Sequence, residues 1–110
     1  MPTSKLLDLA QLRHCVAAGR FEWRKHVLQR LAERGLPQSA VLRAIQSGTI
    51  IRDYADDYPY PSALILGGSE GKSIHVVVAL DTKNNWGYIV TAYEPDSGHF
   101  ESNQRTRKPR

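Results

Sequence analysis

One cysteine, Cys15, stands among 110 residues, so no internal disulfide can form and no cysteine cluster can hold a metal. No apolar run approaches the roughly 20 residues a helix needs to cross a bilayer. The opening Met1-Pro2-Thr3-Ser4-Lys5 lacks the long apolar stretch and small-residue cleavage pattern of a secretory leader. These absences lead us to expect a cytoplasmic protein without membrane contact. The chain also contains no phosphate-binding glycine loop, no nucleophile elbow and no HExxH sequence. Its four histidines are neither spaced like ligands nor set among neighbouring carboxylates. No metal and no cofactor are therefore expected.

What is present suits one domain: 41% of residues are apolar and 24% charged, ordinary for a globular chain. The net charge of +4 is unevenly spread. Residues 1–34 carry seven Lys/Arg against three acids, residues 35–100 four against seven, and residues 101–110 four against one. Basic ends of this kind permit binding to a phosphate backbone, and serve solubility equally well.

Hydrophobic spacing predicts helices first and strands afterwards. Leu6, Leu9, Leu12 and Val16 recur at helical intervals behind a Thr3 or Ser4 cap, and Gly19 punctuates the run. A second helix is expected over 21–34, burying Trp23, Val27 and Leu31, with Gly35 ending it. Pro37 suits the start of a third over about 38–47, capped by Gly48. The period then shortens. Thr49–Tyr54 reads as a short strand, 56–61 as a loop, and Ala63–Leu66 as a strand closed by a turn over 67–71. Ile74–Leu80 is the strongest strand, and Trp86–Tyr93 follows a hairpin loop over 81–85. The expected architecture is α+β: two or three N-terminal helices packed on a C-terminal antiparallel meander, forming a single domain over 1–100. Residues 101–110 are read as a mobile, basic, polar tail.

Within the second helix, His26, Arg30 and Arg34 fall one turn apart and would share a polar face. Histidine transfers protons near neutrality, and arginine offers a fixed fork of donors to phosphate oxygens. A solvated helix face carries the same residue types. His75 begins the valine-rich strand, and the pattern allows either it or Val76 to face the helices. Thr91 and Tyr93 alternate in phase on the last strand and could meet a ligand. Trp23 and Trp86 are expected as core aromatics rather than stacking platforms.

The segments "RKHVLQRLAERGLPQSAVLRAIQSGTIIRDY", "PSALILGGSEGKSIHVVVAL" and "IVTAYEP" together resemble a widespread bacterial family of unknown function. The resemblance runs from about Phe21 to Pro95, and falls on His26, Arg30, Arg34, Gly48, Tyr54, Gly67, His75, Thr91 and Tyr93. Leu31 stands where the family has methionine, and Ile74 where it has leucine. Both exchanges keep an apolar position.

That family is grouped with RelE-like toxin ribonucleases, some encoded beside a small zinc-finger antitoxin-like protein. The resemblance thus implies a RelE-like fold and metal-independent endoribonuclease action in a toxin–antitoxin system. Such chemistry requires a base for the ribose 2′-hydroxyl, cations around the phosphate and an acid for the leaving oxygen. His26 or His75 would move the proton, Arg30 and Arg34 would hold the phosphate, and Tyr93 would orient it or act as a reserve acid. Lys25, Lys83, Arg105, Arg107 and Lys108 would guide the RNA strand. Two other classes fit the residues: a noncatalytic protein-interaction module, and an RNA-binding protein that does not cleave.

Overall fold

The computed structural model describes residues 7–69 and 71–95. Three helices, α1 (Leu9–Ala17), α2 (Val27–Arg34) and α3 (Gln38–Ser47), accompany five strands. These are β1 (Phe21–Trp23), β2 (Thr49–Tyr54), β3 (Ser62–Ser69), β4 (Lys72–Asp81) and β5 (Trp86–Tyr93), ordered β1-β5-β4-β3-β2 across one sheet. The meander read from sequence is there as β2 to β5, each pair antiparallel. The sheet is nevertheless mixed, because β1 lies parallel to β5 along its outer side.

The unexpected strand corrects the helix expected over 21–34. Arg20-Phe21-Glu22-Trp23-Arg24 alternates polar and apolar residues at period two, which suits a half-buried strand. Gly87 N–H donates to the Arg20 carbonyl, and Arg24 N–H donates to that of Ile89, so both ends of the segment are tied to β5. His26 then adopts a left-handed conformation (φ 71°), which reverses the chain and starts α2 at Val27. Trp23 therefore packs from the sheet, not from a helix stripe.

Two smaller corrections concern ends. Helix α1 is capped by Asp8, whose carboxylate accepts the Gln11 N–H at 3.0 Å. Thr3 and Ser4, expected as caps, lie outside the described residues, as does the basic tail over 101–110. The glycines expected to begin a turn instead continue β3 through Gly67 and Gly68. Helix α3 explains the first of them. A Cβ at Gly67 would stand 2.5 Å from the Ala44 carbonyl oxygen and 2.7 Å from Ala44 Cβ, so only glycine lets α3 approach this closely.

All three helices pack on one face. Leu12, Cys15, Val16, Val27, Leu31, Val41, Ala44 and Ile45 meet Ala63, Ile65, Ile74, Val76, Val78, Leu80, Ile89 and Ala92 in a common core. Arg13 ties α1 to α3: its Nε donates to the Ile45 carbonyl at 2.9 Å, and Nη2 to that of Gly48. A cation thus sits at the negative end of α3, where its dipole favours one. No helix among the described residues is long and apolar enough to cross a membrane.

Candidate functional site

The face of the sheet away from the helices carries the other half of the alternation, and the strand register arranges it in rows. Thr49, Leu66, His75 and Tyr93 form one row, and Arg52, Leu64, Val77 and Thr91 the next. Tyr54, Ser62, Ala79, Tyr88 and Glu22 form a third, and Asp81 with Trp86 the last. The sequence left the facing of His75 open. It points away from the helices, opposite Val76.

His75 is fully buried (0% exposed), with its ring 5.6 Å from that of Tyr93. The structure therefore brings these two expected site residues together. It does not bring the other three to them. Helix α2 packs on the core face through Val27 and Leu31, so the sheet itself stands between its solvent side and His75. His26 is exposed at the N-cap of α2, where its side chain caps nothing, and its carbonyl accepts the Arg30 N–H at 3.0 Å. Arg30 is exposed one turn on. Arg34 is committed elsewhere: its Nη1 donates to the Ala92 carbonyl at 2.7 Å. Strand β1 ends at Trp23, so Arg34 covers a part of the β5 edge that β1 does not reach. The five residues thus do not line one cleft.

Lys25 is exposed in the turn before α2, and Lys83 in the β4–β5 hairpin. Arg105, Arg107 and Lys108 lie outside the described residues. No group of three or more His, Cys, Asp or Glu side chains able to hold a metal occurs among the described residues.

A different constellation occupies the solvent-reaching β1–β5 side of the face away from the helices, whose centre at Leu64, His75 and Val77 is buried. The Arg24 guanidinium lies over the Tyr88 ring at 5.4 Å from its centroid. Tyr60, arriving from the β2–β3 loop, stacks on the same ring at 5.4 Å with the planes 10° apart. One row further, Arg20 lies over Trp86 at 5.5 Å, and the Trp86 indole N–H donates to Glu22 at 3.0 Å. Trp86 is thus a half-buried residue of the face away from the helices, not the core aromatic expected. Arg20 is anchored by its bonds to the Asn84 and Asn85 carbonyls. The Arg24 guanidinium, by contrast, makes no hydrogen bond or ion pair with any described residue, and its side chain is exposed.

Beneath the stack, Asp81 accepts the Asn84 backbone N–H at 3.1 Å and its side-chain amide at 2.8 Å. These bonds from Asn84, the side-chain one foremost, hold the Asp81 carboxyl below the usual carboxylate range. The hydrogen bond to Tyr88, together with the Asp81 charge, pushes the Tyr60 phenol up to about 12. Tyr58, two residues before, is 94% exposed at the loop tip. Sequence reading missed this group because it took 21–34 as one helix. The polar positions Arg20, Glu22 and Arg24 at period two were the available signal.

The fold and this polar, aromatic sheet face define a small α+β protein with a candidate ligand surface. The chain belongs to the domain family of unknown function DUF4258, whose model matches residues 23–94. The match spans Arg24, Tyr60, Asp81 and Tyr88, and leaves α1 and Arg20 outside. No curated protein and no solved structure matches the chain.

Proposed function

We propose that the protein binds single-stranded RNA along the β1–β5 side of the sheet face turned away from the helices. The observation that carries this reading is the stack of Arg24, Tyr88 and Tyr60. A guanidinium backed by an aromatic ring keeps its edge donors for phosphate oxygens, and the ring fixes its plane. A tyrosine stacked by one face, as Tyr60 is on Tyr88, has its other face for an unstacked base, a contact worth about 1–3 kcal/mol in single-strand binding. Exposed Arg52, in the row of Leu64, Val77 and Thr91, adds positive charge to the same face. Fluorescence anisotropy with a labelled 12-nucleotide RNA, at two salt concentrations, tests it. Saturable binding that weakens with salt and with Arg24→Ala supports the reading. Binding insensitive to Arg24→Ala refutes it.

Cleavage by 2′-hydroxyl attack, as in a toxin–antitoxin ribonuclease of RelE-like type, is the second reading. It is favoured by the exposure of His26, which follows Arg24 and Lys25 directly and precedes Arg30 by one turn. Of the two histidines considered for proton transfer, His75 is enclosed and His26 is accessible, so His26 takes the role and Arg30 the phosphate. A small zinc-finger partner would then act as the silencing antitoxin. RNA incubated with the protein in chelator should yield 2′,3′-cyclic phosphate ends, lost in His26→Ala and kept in His75→Phe. Intact RNA under conditions where binding is saturated eliminates cleavage and leaves the binding function.

A further inference from the structure

We infer that Glu22 reads a base edge beside the Arg24–Tyr88 stack and gives the protein a preference for guanine in the single strand it binds. The inference rests on the RNA-binding reading and deepens it, by naming the base this surface selects.

Glu22 stands in the middle of β1, exposed and in register with Tyr88 on β5. Two residues to either side of it are Arg20 and Arg24, which lie over Trp86 and Tyr88. One acid thus sits between two cations and beside two rings. Among the described residues it makes no ion pair with either arginine. Its Oε1 instead accepts the Trp86 indole N–H at 3.0 Å. Trp86 is itself held by Arg20, whose guanidinium is anchored on the Asn84 and Asn85 carbonyls. The carboxylate is therefore oriented from one side only. An ionised carboxylate offers about four acceptor sites on its two oxygens, so most remain for a ligand.

An acid on a surface that binds phosphate weakens affinity by repulsion unless a donor of the ligand meets it. Where Arg24 takes a phosphate, Glu22 is placed to meet the adjoining base. In a single strand the Watson–Crick edges are open to such a contact. Guanine carries two neighbouring donors there, N1–H and the N2 amino group, which match the two oxygens of one carboxylate. Adenine and cytosine each set a single amino donor beside a ring-nitrogen acceptor. Uracil has one N–H between two carbonyl oxygens, both repelled by the charge. Guanine is the base this acceptor satisfies best. The tether matters as well, because a glutamate already oriented by Trp86 loses less side-chain freedom on binding.

The test is a ratio of affinities measured by anisotropy on the full chain. Labelled 12-nucleotide strands of uridine carry guanosine, adenosine or cytidine at alternate central positions, beside an all-uridine strand. The guanosine strand should bind about tenfold tighter than the uridine strand, as a paired hydrogen-bond contact to one base discriminates. Glu22→Gln keeps an acceptor for Trp86 but replaces one oxygen by a donor, and should remove most of that ratio. Trp86→Phe keeps a ring beside Arg20 but cuts the tether, and should lower the ratio in part.

Equal affinity of the wild type for the guanosine and uridine strands overturns the inference and leaves the RNA reading standing. A ratio unchanged in either variant overturns it too, and weakening of both strands alike marks Glu22 as no more than a support for Trp86. Should Glu22→Gln fail to fold, Glu22→Asp decides: its shorter side chain withdraws the carboxylate, and an undiminished ratio overturns the inference. If no strand binds, the RNA reading itself falls and the base preference with it.

Discussion

Replacing Gly67 by alanine tests the close approach of α3 to β3. The new methyl group would begin 2.5 Å from the Ala44 carbonyl oxygen and 2.7 Å from both Ala44 Cα and Cβ. All three neighbours are backbone or backbone-fixed, so no rotamer change relieves the clash, and α3 must back away from β3. Ordinary contact lies about 1 Å further out, and a gap of 0.5–1 Å forfeits roughly a quarter to a half of each dispersion contact it opens. Val41, Ala44 and Ile45 would lose contact with Ile65 in the centre of the core. Overpacking of this kind costs about 1–3 kcal/mol, and the reduced chain entropy of the unfolded alanine variant returns about 0.4–1 kcal/mol. A net loss of about 1–2 kcal/mol should lower the melting temperature by roughly 4–16 °C in a domain of this size. Circular dichroism melting of Gly67→Ala beside Gly68→Ala measures it. At Gly68 the added Cβ meets only the Lys72 carbonyl oxygen, at 3.1 Å, so the drop there should be much smaller. Equal melting temperatures for the two variants, or for Gly67→Ala and wild type, would refute the reasoning.

Three further expectations follow from other parts of the structure. Arg34→Met removes the bond to the Ala92 carbonyl on an exposed residue, and should cost about 1 kcal/mol in urea unfolding while changing RNA affinity less than twofold. Arg24→Ala should weaken RNA binding several-fold and reduce the salt slope by about one, read from anisotropy titrations over a salt series. Asp81 has a lowered folded-state pKa, so its stabilising effect is present above the ordinary value of 3.8 and is lost as pH falls through the folded value. Melting temperatures measured downward from pH 5 should therefore fall less steeply in Asp81→Asn than in the wild type.

Most of the architecture was legible because the signals were local and strong. Pro37 and Gly48 bracket α3, and the Trp86–Tyr93 strand stands where β-branched and aromatic residues replace helical spacing. The segment 21–34 misled because Trp23, Val27 and Leu31 step by four, although the first belongs to a strand and the others to a helix. What separates them is the positive φ of His26, a conformation that histidine rarely adopts and that the sequence does not announce. The candidate site inherited this error. His75 and Tyr93 could be paired by alternation, and they are neighbours across β4 and β5. Tyr60 meeting Tyr88 depends on how a loop folds over a sheet, which no local period encodes.

The pairing of β1 with β5 also bears on how the chain assembles. Phe21 and Gly87 are neighbours in the sheet although they lie far apart along the chain, with α2, α3 and β2 to β4 between them. As the protein leaves the ribosome, β1 must wait for β5 before its backbone groups find their sheet partners. Contacts of such long sequence separation slow folding, because the loop entropy is spent before the contact forms. The helices and the β2–β4 hairpins can gather earlier, and β5 then closes the structure from both sides at once. Completion of this fold is therefore a late event, set by synthesis of the final strand.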